Sequence, residues 1–150
     1  MNTDDMPIQE IRARAYADFS GVDIEDVCEE REETRFESLQ HGNASARVLT
    51  DEEADKACKE SIADSLWAFN PSFLASFTGL PEEAFQAIAD NGRCESNNEA
   101  IRAMIDGTGN FDQFVQEAVS ADGRGHFLAG YDGNETEHEF IGRTFYIYQD

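Results

Sequence analysis

The chain has very few basic residues, and this shortage limits what it can bind. Lysine occurs only at Lys56 and Lys59, and 11 lysines and arginines together face 32 aspartates and glutamates, for a formal net charge of -21. Phosphate contacts from basic side chains supply most of a protein's affinity for DNA or RNA, and anionic membrane surfaces also attract basic segments. The composition therefore argues against direct binding of nucleic acid or of a membrane.

Cysteine and long apolar runs are scarce as well. Cys28, Cys58 and Cys94 form no C-x-x-C pair, and an odd number of cysteines cannot close entirely into internal disulfides. The N-terminus lacks the basic start and apolar core of a signal peptide, and no window approaches the ~18 apolar residues of a membrane span. We therefore predict a soluble protein of the reducing cytoplasm.

The sequence does contain enough apolar surface for a core. Hydrophobic residues make up 40% of the 150 residues and aromatic residues 11%, and this length fits one domain. Residues 1–64 carry 18 acidic and seven basic side chains, and residues 65–150 carry 14 and four. The acidity belongs to the whole chain and not to a tail, so we predict a single acidic domain over residues 1–150.

Apolar residues recur at helical spacing throughout residues 1–121. The spacing predicts a short helix from Ile8 to Phe19 and a longer helix over residues 23–40 that ends at His41-Gly42-Asn43. Thr50 and Glu53 form a capping-box pattern that begins the next helix. Shorter helices are expected to begin at Asn70-Pro71, at Pro81, at the pair Ser96 and Glu99, and at the pair Asn110 and Gln113.

The pattern changes at Asp122. Glycine-containing turn sequences at 122–125 and 131–134 bracket His126 to Ala129, and residues 140–148 are rich in aromatic and β-branched side chains. Residues 122–150 are therefore expected to form the β part of the same domain. The predicted fold class is α+β, a mainly helical domain of about five to six helices with a small C-terminal antiparallel hairpin or sheet.

One acidic stripe is the leading candidate for a partner-binding site. If residues 23–40 form one helix, five carboxylates share the face opposite its apolar residues; they are Asp26, Glu29, Glu30, Glu33 and Glu37. At a rise of ~1.5 Å per residue, a carboxylate occurs about every 4 Å, close to the ~3.4 Å phosphate spacing of one DNA strand. An ordinary solvated helix face explains the stripe as well, and the charge of the whole chain favours the phosphate-like interpretation.

A second acidic group lies at the start of the next predicted helix. Carboxylates in a first turn also interact favourably with a helix N-terminus, so a structural role explains this group more simply than a binding role. The secondary acidic candidates are Asp51, Glu52, Glu53 and Asp55.

The segment from Ser72 to Ala89 has the outline of a helix-turn-helix motif. No basic residue occurs between Lys59 and Arg93, and a DNA-binding motif needs phosphate contacts. We therefore interpret the segment as an ordinary helical hairpin packed by phenylalanines.

Residues 122–135 form the most distinctive segment. Arg124 could hold an anion, and possible metal ligands or acid–base groups are His126, Asp132, Glu135 and the nearby His138. Their spacing matches no metal motif, and the glycines match no phosphate-binding loop. No serine, cysteine or carboxylate pair elsewhere has the context of a catalytic group. The preferred interpretation is a structural turn and hairpin, with no catalytic residue, metal or cofactor, in a protein that is not an enzyme.

The C-terminal half resembles small proteins of unassigned function carried by phages, prophages and plasmids. The resemblance rests on the segment DGRGHFLAGYDGNE at 122–135, with weaker agreement at Ala68-Phe69-Asn70, Phe73-Leu74 and Thr78-Gly79-Leu80. It implies a mobile-element origin, and hence the host cytoplasm for a phage-encoded chain. Mobile elements also encode acidic inhibitors of CRISPR and restriction systems, some of which imitate DNA, and this chain is similar to them in charge and size.

Three hypotheses follow. The leading one is a mobile-element inhibitor, anti-CRISPR or anti-restriction, whose carboxylates occupy a basic nucleic-acid-binding surface of a host defence complex. The second is adaptation to a salty cytoplasm, in which case the acidity says nothing about a partner. The third is a small enzyme or nucleotide binder centred on Arg124, His126 and Asp132.

Overall fold

The computed structural model describes residues 6–29, 38–92 and 94–150. They form two compact units, which we call the sheet unit (Met1–Lys56 and Arg124–Asp150) and the helical unit (Ala57–Gly123). The predicted α+β class is confirmed, including the C-terminal antiparallel hairpin. The single-domain assignment stays a prediction. Within the described ranges, no helix has the length and apolar character needed to cross a membrane.

The secondary-structure elements have the following bounds. The helices are α1 (Ile8–Ser20), α2 (Asp51–Asp64), α3 (Pro71–Thr78), α4 (Glu82–Asp90), α5 (Asn98–Thr108), α6 (Phe111–Asp122) and α7 (Arg124–Leu128). The strands are β1 (Cys28–Glu29), β2 (Ser38–His41), β3 (Ala44–Leu49), β4 (Thr136–Phe140) and β5 (Arg143–Gln149). Short 3₁₀ turns cover Ile24–Asp26, Leu66–Ala68 and Glu95–Asn97.

The sheet unit is built on a five-stranded antiparallel sheet in the order β1-β2-β3-β5-β4. The central pair is β3 with β5, where Val48 lies opposite Ile147. Helix α1 contacts β3, β4 and β5 and ends at Gly21, whose left-handed backbone lets its N–H bond the Ala17 carbonyl. The buried core of this unit comprises Ile11, Ala15, Tyr16, Leu39, Ala46, Val48, Phe145 and Ile147.

The predicted helix over residues 23–40 is wrong at both ends. Residues 24–26 form only a 3₁₀ turn, and Cys28–Glu29 and Ser38–His41 are paired strands with Cys28 opposite Gln40. The expected helix stop is a strand turn, because His41 pairs with Ala44 and leaves Gly42-Asn43 as a two-residue loop. Leu39 has a helix-compatible spacing but is buried in the sheet core, so tertiary packing overrides the local pattern.

The boundary expected at residue 122 is also corrected. Strands β1, β2 and β3 fall in the part predicted as helical, and residues 124–128 form the short helix α7 in the part predicted as β. Gly125 allows α7 to lie against the loop before β4. A Cβ at this position would stand 2.5 Å from the Gly133 oxygen and 2.7 Å from the Glu135 nitrogen, and backbone atoms cannot yield as a flexible side chain can.

The β4–β5 turn carries an unusual backbone. Phe140 pairs with Arg143, so Ile141 and Gly142 form the two-residue loop, with φ angles of 45° and 77°. Two positive φ values suit the twist of a hairpin, but asparagine or glycine normally occupies the first position. A β-branched residue with positive φ is a true outlier, and its backbone strain is about 1–2 kcal/mol.

The helical unit is organised by side-chain caps that the sequence predicts in part. Asn70 accepts the Ser72 N–H with Pro71 following it, and Asn110 accepts the N–H groups of Asp112 and Gln113. The Ser96–Glu99 capping box is wrong, since α5 begins at Asn98 and Ser96 lies in the preceding 3₁₀ turn. Fully or nearly fully buried side chains of this unit include Ile62, Leu66, Leu74, Phe85, Ile101, Ile105 and Phe114.

A partly buried ion pair of the sheet unit joins α1 to the first turn of α2. The Arg12 guanidinium donates to both Glu53 carboxylate oxygens at 2.9 and 3.0 Å and also bonds the Val48 carbonyl. The Glu53 carboxylate accepts the Thr50 N–H at 2.9 Å, while the Glu53 N–H donates to the Thr50 hydroxyl. These contacts confirm the capping box. Glu53 therefore both caps α2 and forms an ion pair with Arg12.

The charge of Glu53 is set by these contacts. Burial raises the pKa of the Glu53 carboxyl, but the hydrogen bonds from Arg12 and Thr50 outweigh burial and lower the pKa below its ordinary value of 4.5. Because the folded-state pKa is depressed, the ionised group stabilises the fold above pH 4.5, and this contribution is lost as the pH falls through the folded-state pKa.

We predict that Glu53→Gln lowers the free energy of unfolding at pH 7 by about 1–3 kcal/mol, because Arg12 would remain buried without its counter-charge. The difference from the parent chain should shrink as the pH falls below 4.5. Urea unfolding at several pH values measures it. Glu52→Gln, in the same turn, is the control and should change stability by less than about 0.5 kcal/mol; an equal effect of both variants would contradict the assignment.

Candidate functional site

A cluster around Arg124 brings together residues from two separate sequence predictions. The guanidinium Nε donates to Glu135 Oε1 at 2.7 Å, and Nη1 donates to Asp51 Oδ1 and Asp55 Oδ1, each at 2.9 Å. Glu135 also accepts the Tyr148 hydroxyl. We call these residues the Arg124 cluster; its members are Asp51, Asp55, Arg124, Glu135 and Tyr148.

Four parts of the sheet unit position this cluster, with Tyr148 contributed by β5. Arg124 is the first residue of α7, the two aspartates lie one turn apart at the start of α2, and Glu135 immediately precedes β4. The guanidinium also lies over the Tyr146 ring, 4.7 Å from its centre, a favourable cation–π distance. Because Gly125 permits close approach to the backbone at 133–135, Arg124 and Glu135 can meet.

The cluster is electrostatically satisfied. The Arg124 side chain is 11% exposed. Burial lowers its pKa, but the hydrogen bond with Glu135, the charge interaction with Tyr148 and the hydrogen bond with Asp51 raise the pKa above its ordinary value. One guanidinium therefore supplies the positive charge for three carboxylates. Among the described residues, no group of three histidine, cysteine or acidic side chains is arranged to hold a metal ion.

His126 and Asp132 lie outside the cluster. His126 is exposed and contacts the edge of the neighbouring Phe127 ring. The Asp132 carboxylate accepts the Asn134 N–H at 3.0 Å, which fixes the turn before β4. The structure thus joins Arg124 and Glu135 in one cluster, whereas His126 and Asp132, the other two residues of the enzyme or nucleotide-binder hypothesis, make their described contacts elsewhere.

The predicted acidic stripe has a different backbone from the one expected. Asp26 is exposed in a 3₁₀ turn, and Glu29 belongs to β1. Glu30, Glu33 and Glu37 lie outside the described residues. Because the chain leaves helical geometry after Asp26, the ~4 Å ladder of carboxylates along one helix face does not begin as predicted.

The secondary acidic candidates are used mainly inside the sheet unit. Asp51 and Asp55 bond Arg124, and Glu53 bonds Arg12. Glu52 lies in the same first turn and is exposed. Glu53 serves the start of α2 through the capping box, whereas Asp51 and Asp55 take part in ion pairs with Arg124.

Acidic side chains dominate the exposed surface of both units. Where the structure describes the side chain, every aspartate and glutamate is exposed except the half-buried Glu53. Several basic side chains are instead bound to carboxylates within their own unit; they are Arg12, Arg14, Lys59, Arg102 and Arg124. Further exposed acids include Asp23, Glu25, Glu137 and Glu139 in the sheet unit, and Glu60, Glu82, Glu83, Glu95, Glu99 and Glu117 in the helical unit.

A shallow groove of about 360 Å³ lies between α1 and the end of β4 in the sheet unit. It is walled by the side chains of Arg14 and Asp18 and by apolar groups. Arg14 is paired with Glu10, and Asp18 contacts His138 at 2.9 Å. The lining residues are Arg14, Ala17, Asp18, Gly21, Val22, Ile24 and Phe140.

Sequence reasoning missed three contributors to these sites. Arg12 gave no local signal, because its partners Glu53 and Val48 are distant along the chain. Tyr146 and Tyr148 fall in the C-terminal segment predicted to be a strand. They are two residues apart along β5, so both side chains lie on the same face of the strand, and this spacing was the available signal that both approach one cluster.

We predict that Arg124→Gln lowers the free energy of unfolding by about 2–4 kcal/mol, because three mutually repelling carboxylates lose their counter-charge. Arg124→Lys keeps the charge but not the planar set of donors, so an intermediate loss is expected. His126→Ala is the matched control from the same helix, with an expected change below about 0.5 kcal/mol. Chemical denaturation measures all three variants. An Arg124→Gln variant whose free energy of unfolding equals that of the parent chain would show that the cluster does not stabilise the fold.

Comparison with known proteins assigns no family to this geometry. No family model matches the chain, and neither a curated protein nor a solved structure is similar to it. The charges and contacts of the described residues therefore carry the functional proposal.

Proposed function

We propose that this chain is an inhibitor carried by a phage or another mobile element, and that it binds a basic nucleic-acid-binding surface of a host defence complex of the anti-CRISPR or anti-restriction type. The observation that carries the proposal is the excess of exposed acids. Exposed aspartates and glutamates occur on many elements of both units, whereas among the described lysines and arginines only Lys56, Lys59 and Arg143 are exposed, and Arg12 and Arg124 are bound to carboxylates within the sheet unit.

This excess makes the exposed surface of both units strongly negative. A surface of one sign attracts a partner of the opposite sign over about a Debye length, which speeds association and makes affinity depend on salt. A groove that normally holds nucleic acid is lined by lysine and arginine, and it is therefore the complementary surface. The same charge repels nucleic acid, so the proposed partner is protein.

An inhibitor that occupies a nucleic-acid-binding groove in place of DNA or RNA would use carboxylates from several elements of this chain and not from one helix. In the helical unit, exposed acids lie on α2, α4, α5 and α6, whereas the stretch from Ser65 to Pro81, which includes α3, carries no charge at all. The interaction is accordingly expected to depend on groups of carboxylates whose individual contributions are small, since an exposed ion pair contributes only ~0.2–1 kcal/mol.

Salt adaptation is the second candidate and has its own supporting observation. Exposed acids occur on most helices of both units, and wide coverage is expected of a protein that keeps itself hydrated in concentrated salt. This candidate requires no partner and makes the fold itself dependent on salt. The two candidates therefore differ in whether the chain binds a specific basic protein in dilute buffer.

The proposal is tested by capture and competition. The chain, immobilised through its N-terminus, is exposed to a bacterial lysate, and a captured defence protein is purified and assayed for binding to its own DNA or guide RNA. We expect competition with the nucleic acid and an affinity that falls steeply with added salt. A captured protein whose binding ignores salt, or one that holds nucleic acid and this chain together, would contradict the proposal.

Two neutralised variants identify the unit that makes contact. One carries Asp23→Asn, Glu25→Gln and Asp26→Asn in the sheet unit, and the other carries Glu82→Gln, Glu83→Gln and Asp90→Asn in the helical unit. The variant on the contacting unit should bind about three- to tenfold more weakly, because several exposed charges are lost together. Ser76→Gln, at an exposed uncharged position, serves as the control for substitution alone.

A further inference from the structure

The turn between β4 and β5 combines two unfavourable properties at one residue. Ile141 has φ 45°, which strains a β-branched side chain, and the residue is 44% exposed. Asparagine at the same position would relieve the strain and would be more soluble. A single exposed apolar residue needs no explanation, but a strained backbone that also presents an apolar side chain to solvent points to a contact made elsewhere.

The turn adjoins the shallow groove of the sheet unit. Phe140, which precedes Ile141, lines that groove together with Ala17, Val22 and Ile24. An apolar side chain from a partner can therefore enter the groove while Ile141 contacts the partner's surface. Apolar anchors near the centre of an interface, surrounded by polar groups, carry much of the energy in protein complexes.

The charges near the groove select the occupant. Asp18 lines it, exposed Asp23, Glu25 and Asp26 flank the lining residues Val22 and Ile24, and Glu139 precedes Phe140. Arg14 also lines the groove, but it is paired with Glu10. Arg143 pairs with Phe140 across the hairpin and is exposed, so the five acids named here outnumber the two arginines beside the groove and the turn. A second copy of this chain would bring another net charge of -21 against these acids, so like-charge repulsion disfavours self-association.

We infer that Ile141 and the groove beside Phe140 form an apolar anchor for a basic segment of a partner protein, one that carries apolar side chains among lysines or arginines. The inference rests on the proposed function, because it adds a defined contact to a surface proposed to bind a basic partner. Acids around the anchor attract the segment, and the anchor distinguishes an amphipathic segment from one that is merely cationic.

The anchor is tested with Ile141→Asn and two peptides. One peptide is an amphipathic sequence of leucine and lysine at helical spacing, and the other has serine in place of each leucine. The parent chain should bind the leucine peptide about tenfold more tightly than the serine peptide. Ile141→Asn should abolish this difference while raising the thermal unfolding midpoint by about 2–4 °C, since the turn is relieved of strain.

The matched control is Tyr131→Asn, which removes another exposed side chain of the sheet unit, 73% exposed. It should preserve the preference for the leucine peptide. A preference that persists in Ile141→Asn, or that both variants lose equally, overturns the anchor. Light scattering that shows a dimer of the parent chain, dissociated by Ile141→Asn, also overturns it by assigning the turn to self-association.

Failure of the anchor and failure of the proposed function give different results. If neither peptide binds in a salt-dependent manner, and neutralising Asp23, Glu25 and Asp26 has no effect, the acidic surface itself does not bind basic segments. If salt and neutralisation both weaken binding but Ile141→Asn retains the leucine preference, only the anchor is wrong.

Discussion

The bonding of arginine to carboxylates at the start of α2 is the interaction on which the sheet unit depends. Arg12 from α1 and Arg124 from α7 bind Glu53, Asp51 and Asp55 within the first turns of α2. An acidic first turn is favourable at a helix N-terminus, but carboxylates this close repel one another until cations lie between them. The two arginines remove that repulsion and connect α1, α2, α7 and the loop before β4.

The exterior is strongly negative because acidic residues greatly outnumber basic ones. The chain has 11 basic residues for 32 acidic ones, so its lysines and arginines cannot balance the exposed carboxylates. Self-repulsion among exposed acids lowers the stability of a compact protein, and buried arginine contacts are one means by which the fold tolerates it. Surface acidity therefore follows from the excess of acidic residues, and it gives binding to a basic partner its physical basis.

Local signals predicted the parts of the fold that local interactions determine. Asn70 and Asn110 begin helices, and Thr50 with Glu53 forms the capping box. The helix over 23–40 failed because the pairing of Cys28 with Gln40, and the burial of Leu39 against β3 and β5 residues, are set by contacts distant along the chain. The Arg124 cluster could not be foreseen for the same reason: Asp51 and Arg124 were each singled out, but nothing in the sequence placed them 2.9 Å apart.

The central claim is that the acidic surface exists for binding and not for survival in salt. The most direct measurement is thermal unfolding of the whole chain, followed by circular dichroism, from dilute buffer to molar KCl. The account predicts a cooperatively folded protein in dilute buffer, whose unfolding midpoint rises modestly as salt screens repulsion. A chain that is unfolded in dilute buffer and folds only in molar KCl would contradict it.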